Sequence, residues 1–158
     1  MGNLTARFRS DAGSASRFAL ALTLSASLAA VAVSAAEPVV GRWNTIDDKT
    51  GKVRSTVELY EQSGKVFGRI VGLAEPNDES GKARICSKCT GADKDKPVVG
   101  LVILKDLARD GDRYKGGTIL DPEDGKVYKA EVWTQDGKLK VRGYAGLFFR
   151  TQEWAKAK

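Results

Sequence analysis

From Asp47 onward the chain closes four polar runs on the same dipeptide, Gly51-Lys52, Gly64-Lys65, Gly125-Lys126 and Gly137-Lys138, and each opens a stretch of alternating apolar and polar residues. Glycine reaches the positive φ that a tight hairpin requires, and a period of two sends one set of side chains to a core and the other to water. The pattern prescribes an antiparallel meander. Between Lys52 and Tyr60, Val53, Val57 and Leu59 oppose Arg54, Thr56 and Glu58. Between Lys126 and Trp133, Tyr128, Ala130 and Val132 share one side. Leu139, Val141, Gly143 and Ala145 then alternate with Lys138, Lys140, Arg142 and Tyr144, and Thr134-Gln135-Asp136-Gly137 before them is the clearest hairpin signal.

Further strands are expected over Gly41 to Ile46, Lys65 to Leu73, Tyr114 to Leu120 and around Leu147 to Trp154. Gly68 and Gly72 interrupt the second of these and signal curvature. The apolar run Val98 to Leu104 is read as a strand, although one or two helical turns fit its periodicity too. Ala74 to Pro97 is a long polar loop, of the length that is functional or mobile. Eight or nine short strands without a long helix must close or stack to protect their edges. The expected fold is therefore all-β, a small antiparallel barrel, with a two-sheet β-sandwich as the alternative.

Residues 1–36 have the composition of a cleaved secretory signal. Arg7, Arg9 and Arg17 precede an Ala/Leu/Val run from Phe18 to Ala35, and small residues follow at Ser34-Ala35-Ala36. The expectation is a periplasmic protein with one domain over residues 37–158 and no membrane span after cleavage. Three cations and one anion (Asp11) leave with the leader, so the net charge of +6 falls to +4. That excess is mild. No basic run with interleaved aromatics accompanies it, so nucleic acid is not an expected partner. The chain contains no histidine, which removes the commonest general base and the commonest metal ligand together.

Several segments resemble an exported bacterial family of unknown function, domain family 2147. They are Gly41-Arg42-Trp43, Cys86-Ser87-Lys88-Cys89, Pro97 through Leu104, Gly116 through Pro122 with Gly125-Lys126-Val127-Tyr128, Val141 through Gly146, and Arg150-Thr151-Gln152-Glu153-Trp154. The resemblance implies one exported domain and carries no catalytic residues. A looser one, to lipocalin-like barrels, rests on Gly41-x-Trp43. It implies that Trp43 plugs one barrel end beneath an arginine of the last strand, for which Arg150 is the candidate.

Cys86 and Cys89 are the chain's two cysteines, and in an oxidising compartment such close thiols pair. The expected role is a loop clip. Thiol–disulfide exchange is the functional alternative, with Lys82, Arg84 and Lys88 able to favour a thiolate, but no strand and helix flank the motif. A zinc site would have to recruit Asp93 or Asp95, an unusual ligand set, so no metal and no cofactor is expected. Asp121, Glu123 and Asp124 read as a turn, and the Gly-Lys pairs lack phosphate-loop spacing. Trp43, Phe67, Tyr128, Trp133, Phe148 and Trp154 are expected as core or end plugs, a subset lining a cavity. The function these features favour is a non-enzymatic binding module for a small apolar or amphipathic ligand. The alternatives are an interaction or structural protein of the cell envelope with a protein partner there and, behind it, a thiol–disulfide redox protein.

Overall fold

The structure, a computed structural model, describes residues 38–158; the expected leader lies outside them. Eight strands follow in chain order: β1 (Gly41–Ile46), β2 (Val53–Gln62), β3 (Lys65–Leu73), β4 (Val102–Asp110), β5 (Arg113–Leu120), β6 (Val127–Gln135), β7 (Lys138–Ala145) and β8 (Phe148–Lys156). Each pairs antiparallel with the next, and β8 returns to β1 through Trp43↔Lys156 and Asn44↔Ala155, so the meander closes into a barrel. The sandwich alternative is thereby set aside.

Turn chemistry explains the reversals. Ser63-Gly64 and Asp136-Gly137 both hold two successive positive φ values, 53° with 74° and 53° with 70°, the two-residue geometry whose twist matches the flanking strands. In the β1–β2 link, the Asp47 carboxylate accepts the backbone N–H groups of Lys49 (3.1 Å) and Thr50 (2.8 Å). The β1–β2, β3–β4, β5–β6 and β7–β8 links gather at one end of the barrel, called the upper end here. The other three turns lie at the lower end.

The inward side chains pack as the alternation requires. Val57 and Leu59 of β2, Val66 and Ile70 of β3, Ala130 and Val132 of β6, and Leu139 and Val141 of β7 are all buried. Strand β4 departs from expectation, because it runs on to Asp110 instead of stopping at Leu104. Asp106 takes a φ of 61°, and this extra residue lets Leu104 and Leu107, three apart, both face the interior. Lys105-Asp106 breaks the alternation, which hid the strand from the sequence. The stretch Val98 to Leu101 is loop, not strand.

On the outer face, Glu131 and Trp133 are buried as well. The Glu131 carboxylate accepts from Arg113 (3.1 Å), Arg142 (3.2 Å) and the Tyr144 hydroxyl (2.8 Å). Both guanidiniums lie over the Trp133 ring, at 4.1 and 5.1 Å from its centroid. Each such contact contributes about 0.5–2 kcal/mol.

Trp43 and Trp154 fill the lower part of the interior, both essentially without exposure. Trp43 donates its indole N–H to the Val39 carbonyl at 2.8 Å. Arg150, expected over Trp43, is not its partner. Arg150 enters β8 at the upper end, pairs with Gly143 and makes an ion pair with Asp48, far along the strand from Trp43. The cation over Trp43 is Lys156, 5.8 Å from the ring centroid, because the β1–β8 register sets these two residues opposite each other. Phe148, expected in the core or as a plug, is instead 81% exposed. Trp43→Ala should lower unfolding free energy by about 3–5 kcal/mol, whereas Arg150→Ala, breaking an exposed ion pair, should change it by less than about 1 kcal/mol. Urea unfolding of the two variants measures the difference.

Candidate functional site

Strand pairing sets up the site. Tyr60 and Phe67 are register partners on the outward faces of β2 and β3, and their rings stack at 5.9 Å between centroids. Arg69 adds its guanidinium 5.6 Å from the Tyr60 centroid. Beside this pair the chain leaves β3, makes the long loop and returns through Pro97, Val99, Gly100 and Leu101 into β4. Between the aromatic pair and the returning segment lies an open groove of about 500 Å³, completed by Gln62, Val102, Asp93, Lys96 and Lys105.

The returning wall is anchored at both ends. Gly100 N–H donates to the Ile70 carbonyl (2.8 Å), and Ile70 N–H donates to the Leu101 carbonyl (3.0 Å). Further back, Val98 N–H reaches the Arg84 carbonyl (2.9 Å), Cys86 N–H the Lys96 carbonyl (2.8 Å) and Asp95 N–H the Cys86 carbonyl (3.1 Å). Cys86 and Cys89 are joined in a disulfide and buried at 0% and 2% exposure. Their short covalent loop is therefore the anchor on which the Lys96–Pro97 part of the wall hangs. The Cys86 sulfur also touches the Pro122 carbonyl at 3.5 Å; with no hydrogen on a disulfide sulfur this is packing contact. The β5–β6 turn presses on the same loop, since a Cβ at Gly125 would stand 2.0 Å from the Lys88 carbonyl oxygen.

The polar rim is built around one carboxylate. Asp93, ending a 3-10 turn (Gly91–Asp93), accepts from Lys105 at 2.7 Å and from Lys96 at 3.5 Å. The Lys105 hydrogen bond, opposed by partial burial, holds the Asp93 carboxyl below its usual range. Two ammonium groups then share one carboxylate, leaving one net positive charge beside an aromatic floor. Such a surface suits an elongated molecule with an apolar body and an anionic head. The arrangement brings together no nucleophile and base.

The residues singled out from the sequence distribute unevenly about this groove. Phe67 lines it. Cys86 and Cys89 support it from behind, and Asp93 and Asp95, the candidates to complete a metal set, ion-pair with lysines instead. Asp121, Glu123 and Asp124 form a turn, with the Asp121 and Asp124 carboxylates accepting the N–H groups of Glu123 and Lys126. Burial raises the Asp121 pKa, with Asp124 nearby adding to the effect. Trp43 is structural, and Arg150 belongs to the upper rim. Tyr60, Lys96, Val99 and Lys105 were not singled out. A readable signal existed for Tyr60: the two-residue turn Ser63-Gly64 fixes Tyr60 opposite Phe67, putting two aromatics together on a face otherwise written as polar.

Residues 41–156 match the family described as "Uncharacterized protein conserved in bacteria (DUF2147)". No curated protein matches the chain. Among solved structures, the protein HP1028 of the human pathogen Helicobacter pylori, described as belonging to the lipocalin family, is similar in fold with a TM-score of 0.63. The two are 24% identical, and the similarity covers 77% of this chain and 84% of that one.

Two outcomes follow for the wall. Reducing the disulfide, or replacing both cysteines by serine, should cost about 2 kcal/mol or less, as a four-residue loop implies, and should accelerate hydrogen exchange at Cys86, Asp95 and Val98 while the β1–β8 amides stay protected. Since the Asp93 pKa is lowered on folding, its tie to Lys105 stabilises the wall above the ordinary carboxylate value of 3.8 and is lost as pH falls through the depressed one. The protection factors of the Lys94 and Lys96 amides, their exchange divided by the intrinsic rate at each pH from 2 to 6, should fall only at the acid end.

Proposed function

The chain belongs to the DUF2147 family, and from that premise we propose that it is a non-enzymatic binding module for a small amphipathic ligand, held in the groove beside the barrel. The observation that carries the reading is the juxtaposition of the Tyr60–Phe67 stack with the Lys96–Asp93–Lys105 rim across a cavity of about 500 Å³, within the size range of small-molecule sites. An eight-stranded barrel either fills with side chains or holds one small ligand. Trp43, Trp154, Leu59, Leu104, Leu107 and Leu139 occupy the centre, which favours the outer groove over the bore as the place of binding.

The proposal places the mature protein, from about residue 37, in the periplasm, where amphipathic molecules are carried between membranes. Thiol exchange is disfavoured because a disulfide must be reached by its attacking thiolate, and both cysteines here lie under the loop and the β5–β6 turn.

The test is displacement of a fluorescent fatty acid by laurate, a carboxylate with a twelve-carbon tail. Phe67→Ala should weaken binding about 5- to 100-fold, from the loss of roughly 1–3 kcal/mol of aromatic contact. Lys105→Ala should weaken laurate but leave dodecanol, which lacks the anionic head, nearly unchanged. Equal affinity of wild type and Phe67→Ala would remove the groove from the reading.

A further inference from the structure

The β7–β8 hairpin differs from its neighbours. The other hairpin turns contain Asp47 to Lys52, Ser63-Gly64, Gly111-Asp112, Asp121 to Lys126 and Asp136-Gly137, all polar except Pro122. The β7–β8 turn is Gly146-Leu147, followed by Phe148 and Phe149, and these three apolar side chains are 98%, 81% and 60% exposed. Register places Phe148 opposite Ala145 and Phe149 opposite Tyr144, so alternation sends the two rings to opposite faces of the hairpin. The tip is apolar on both sides. A strand end with only one apolar face could be covered by its own barrel, but this one cannot. Val127, two residues beyond the Lys129↔Tyr144 pair and thus level with the turn, is 60% exposed too.

Lysines without ion pairs surround the tip. The carboxylates of Asp48, Glu123 and Asp124 are taken up by Arg150, Arg54 and Lys126, while those of Asp47 and Asp121, on the same turns, form no ion pair among the described residues and accept backbone N–H groups of Lys49, Thr50 and Glu123. Lys129 lies in the cross-strand row with Tyr144 and Phe149, while Lys49 and Lys52 sit on the β1–β2 turn, which the Arg150–Asp48 pair ties to this hairpin. These three lysines carry no ion pair among the described residues. Arg142 meanwhile extends over the Phe149 ring, 4.4 Å from its centroid.

An exposed aliphatic and aromatic tip bordered by unpaired lysines is complementary to an anionic bilayer surface, where the rings enter the headgroup region and the ammonium groups meet lipid phosphates. We propose that the upper end of the barrel docks on an anionic lipid surface through Leu147, Phe148 and Phe149, with Lys49, Lys52 and Lys129 as its electrostatic contacts. Three residues at a turn reach only the interface, so the attachment is peripheral and reversible. This docking does not depend on what the groove binds.

The experiment is co-sedimentation with vesicles of phosphatidylcholine alone and of phosphatidylcholine with phosphatidylglycerol at 7:3. Wild type and variants are compared in otherwise identical chains, so that any contribution of residues 1–37 cancels. Wild type should bind the anionic vesicles, at least tenfold more weakly when salt is raised to 0.5 M. The double variant Leu147→Ser/Phe148→Ser should lose at least tenfold in affinity with an unchanged circular dichroism spectrum and melting temperature. Lys49→Gln/Lys52→Gln/Lys129→Gln should abolish the preference for anionic over neutral vesicles. Failure of the wild type to sediment with either vesicle overturns the proposal, as does a serine variant that binds equally well. So does a wild type that forms tip-dependent dimers in analytical ultracentrifugation without lipid binding, which would assign the tip to a second copy of the chain, or tip-dependent capture of a protein without lipid binding.

Discussion

The β1–β8 seam is the constraint on which the rest depends. Seven of the eight strand pairings join neighbours along the chain, six of them across short turns and β3–β4 across the long loop; the eighth joins the two ends of the meander through Trp43↔Lys156 and Asn44↔Ala155. Without it, β1 and β8 would present rows of unpaired N–H and C=O groups to water and to other chains. Trp43 sits at this seam, fully enclosed, with its indole N–H satisfied by Val39 and its ring beneath Lys156. The side chain that plugs the lower end is thus also the one that packs under the closing strand. Closure and core formation are the same event at this point.

Inside the closed barrel Trp43, Trp154, Leu59, Leu104, Leu107 and Leu139 are buried, and two further features are built on its outer surface. One stretch of that surface is a brace, in which Arg113 and Arg142 cover Trp133 and meet on Glu131. Another is the groove, made by laying the returning loop against the outward aromatics of β2 and β3. The disulfide contributes to the second through position: it ties the far end of a wall whose near end is already bonded to β3.

Much of this was readable before any coordinates. Polar Gly-Lys turns and period-two alternation led to eight or nine strands and a sheet expected to close into a barrel, with a sandwich as the alternative, because in a meander most pairings follow from the adjacent turn. What escaped has a common physical reason, since it arises where residues distant in sequence meet or where a bulge changes the phase. Asp106 shifted β4 by one residue and concealed Leu107. Register across the seam, which no local pattern encodes, decided that Lys156 and not Arg150 lies over Trp43. Lys105 was not singled out and Asp93 was weighed only as a ligand for a zinc set, because their pairing exists only once the loop folds back. Phe148 counted as a core candidate because apolarity alone does not distinguish an inward side chain from one beyond the rim.

Gly117 shows what such a wall permits. A Cβ there would come within 2.2 Å of the Lys105 carbonyl oxygen and 2.8 Å of the Leu107 amide nitrogen, so β4 and β5 meet backbone to backbone at that level. The circumference is set by the number and stagger of the strands, and trimming nearby side chains cannot widen it. Sequence change in this scaffold is therefore accommodated most readily at the exterior cleft, where loop residues can vary without disturbing the bore.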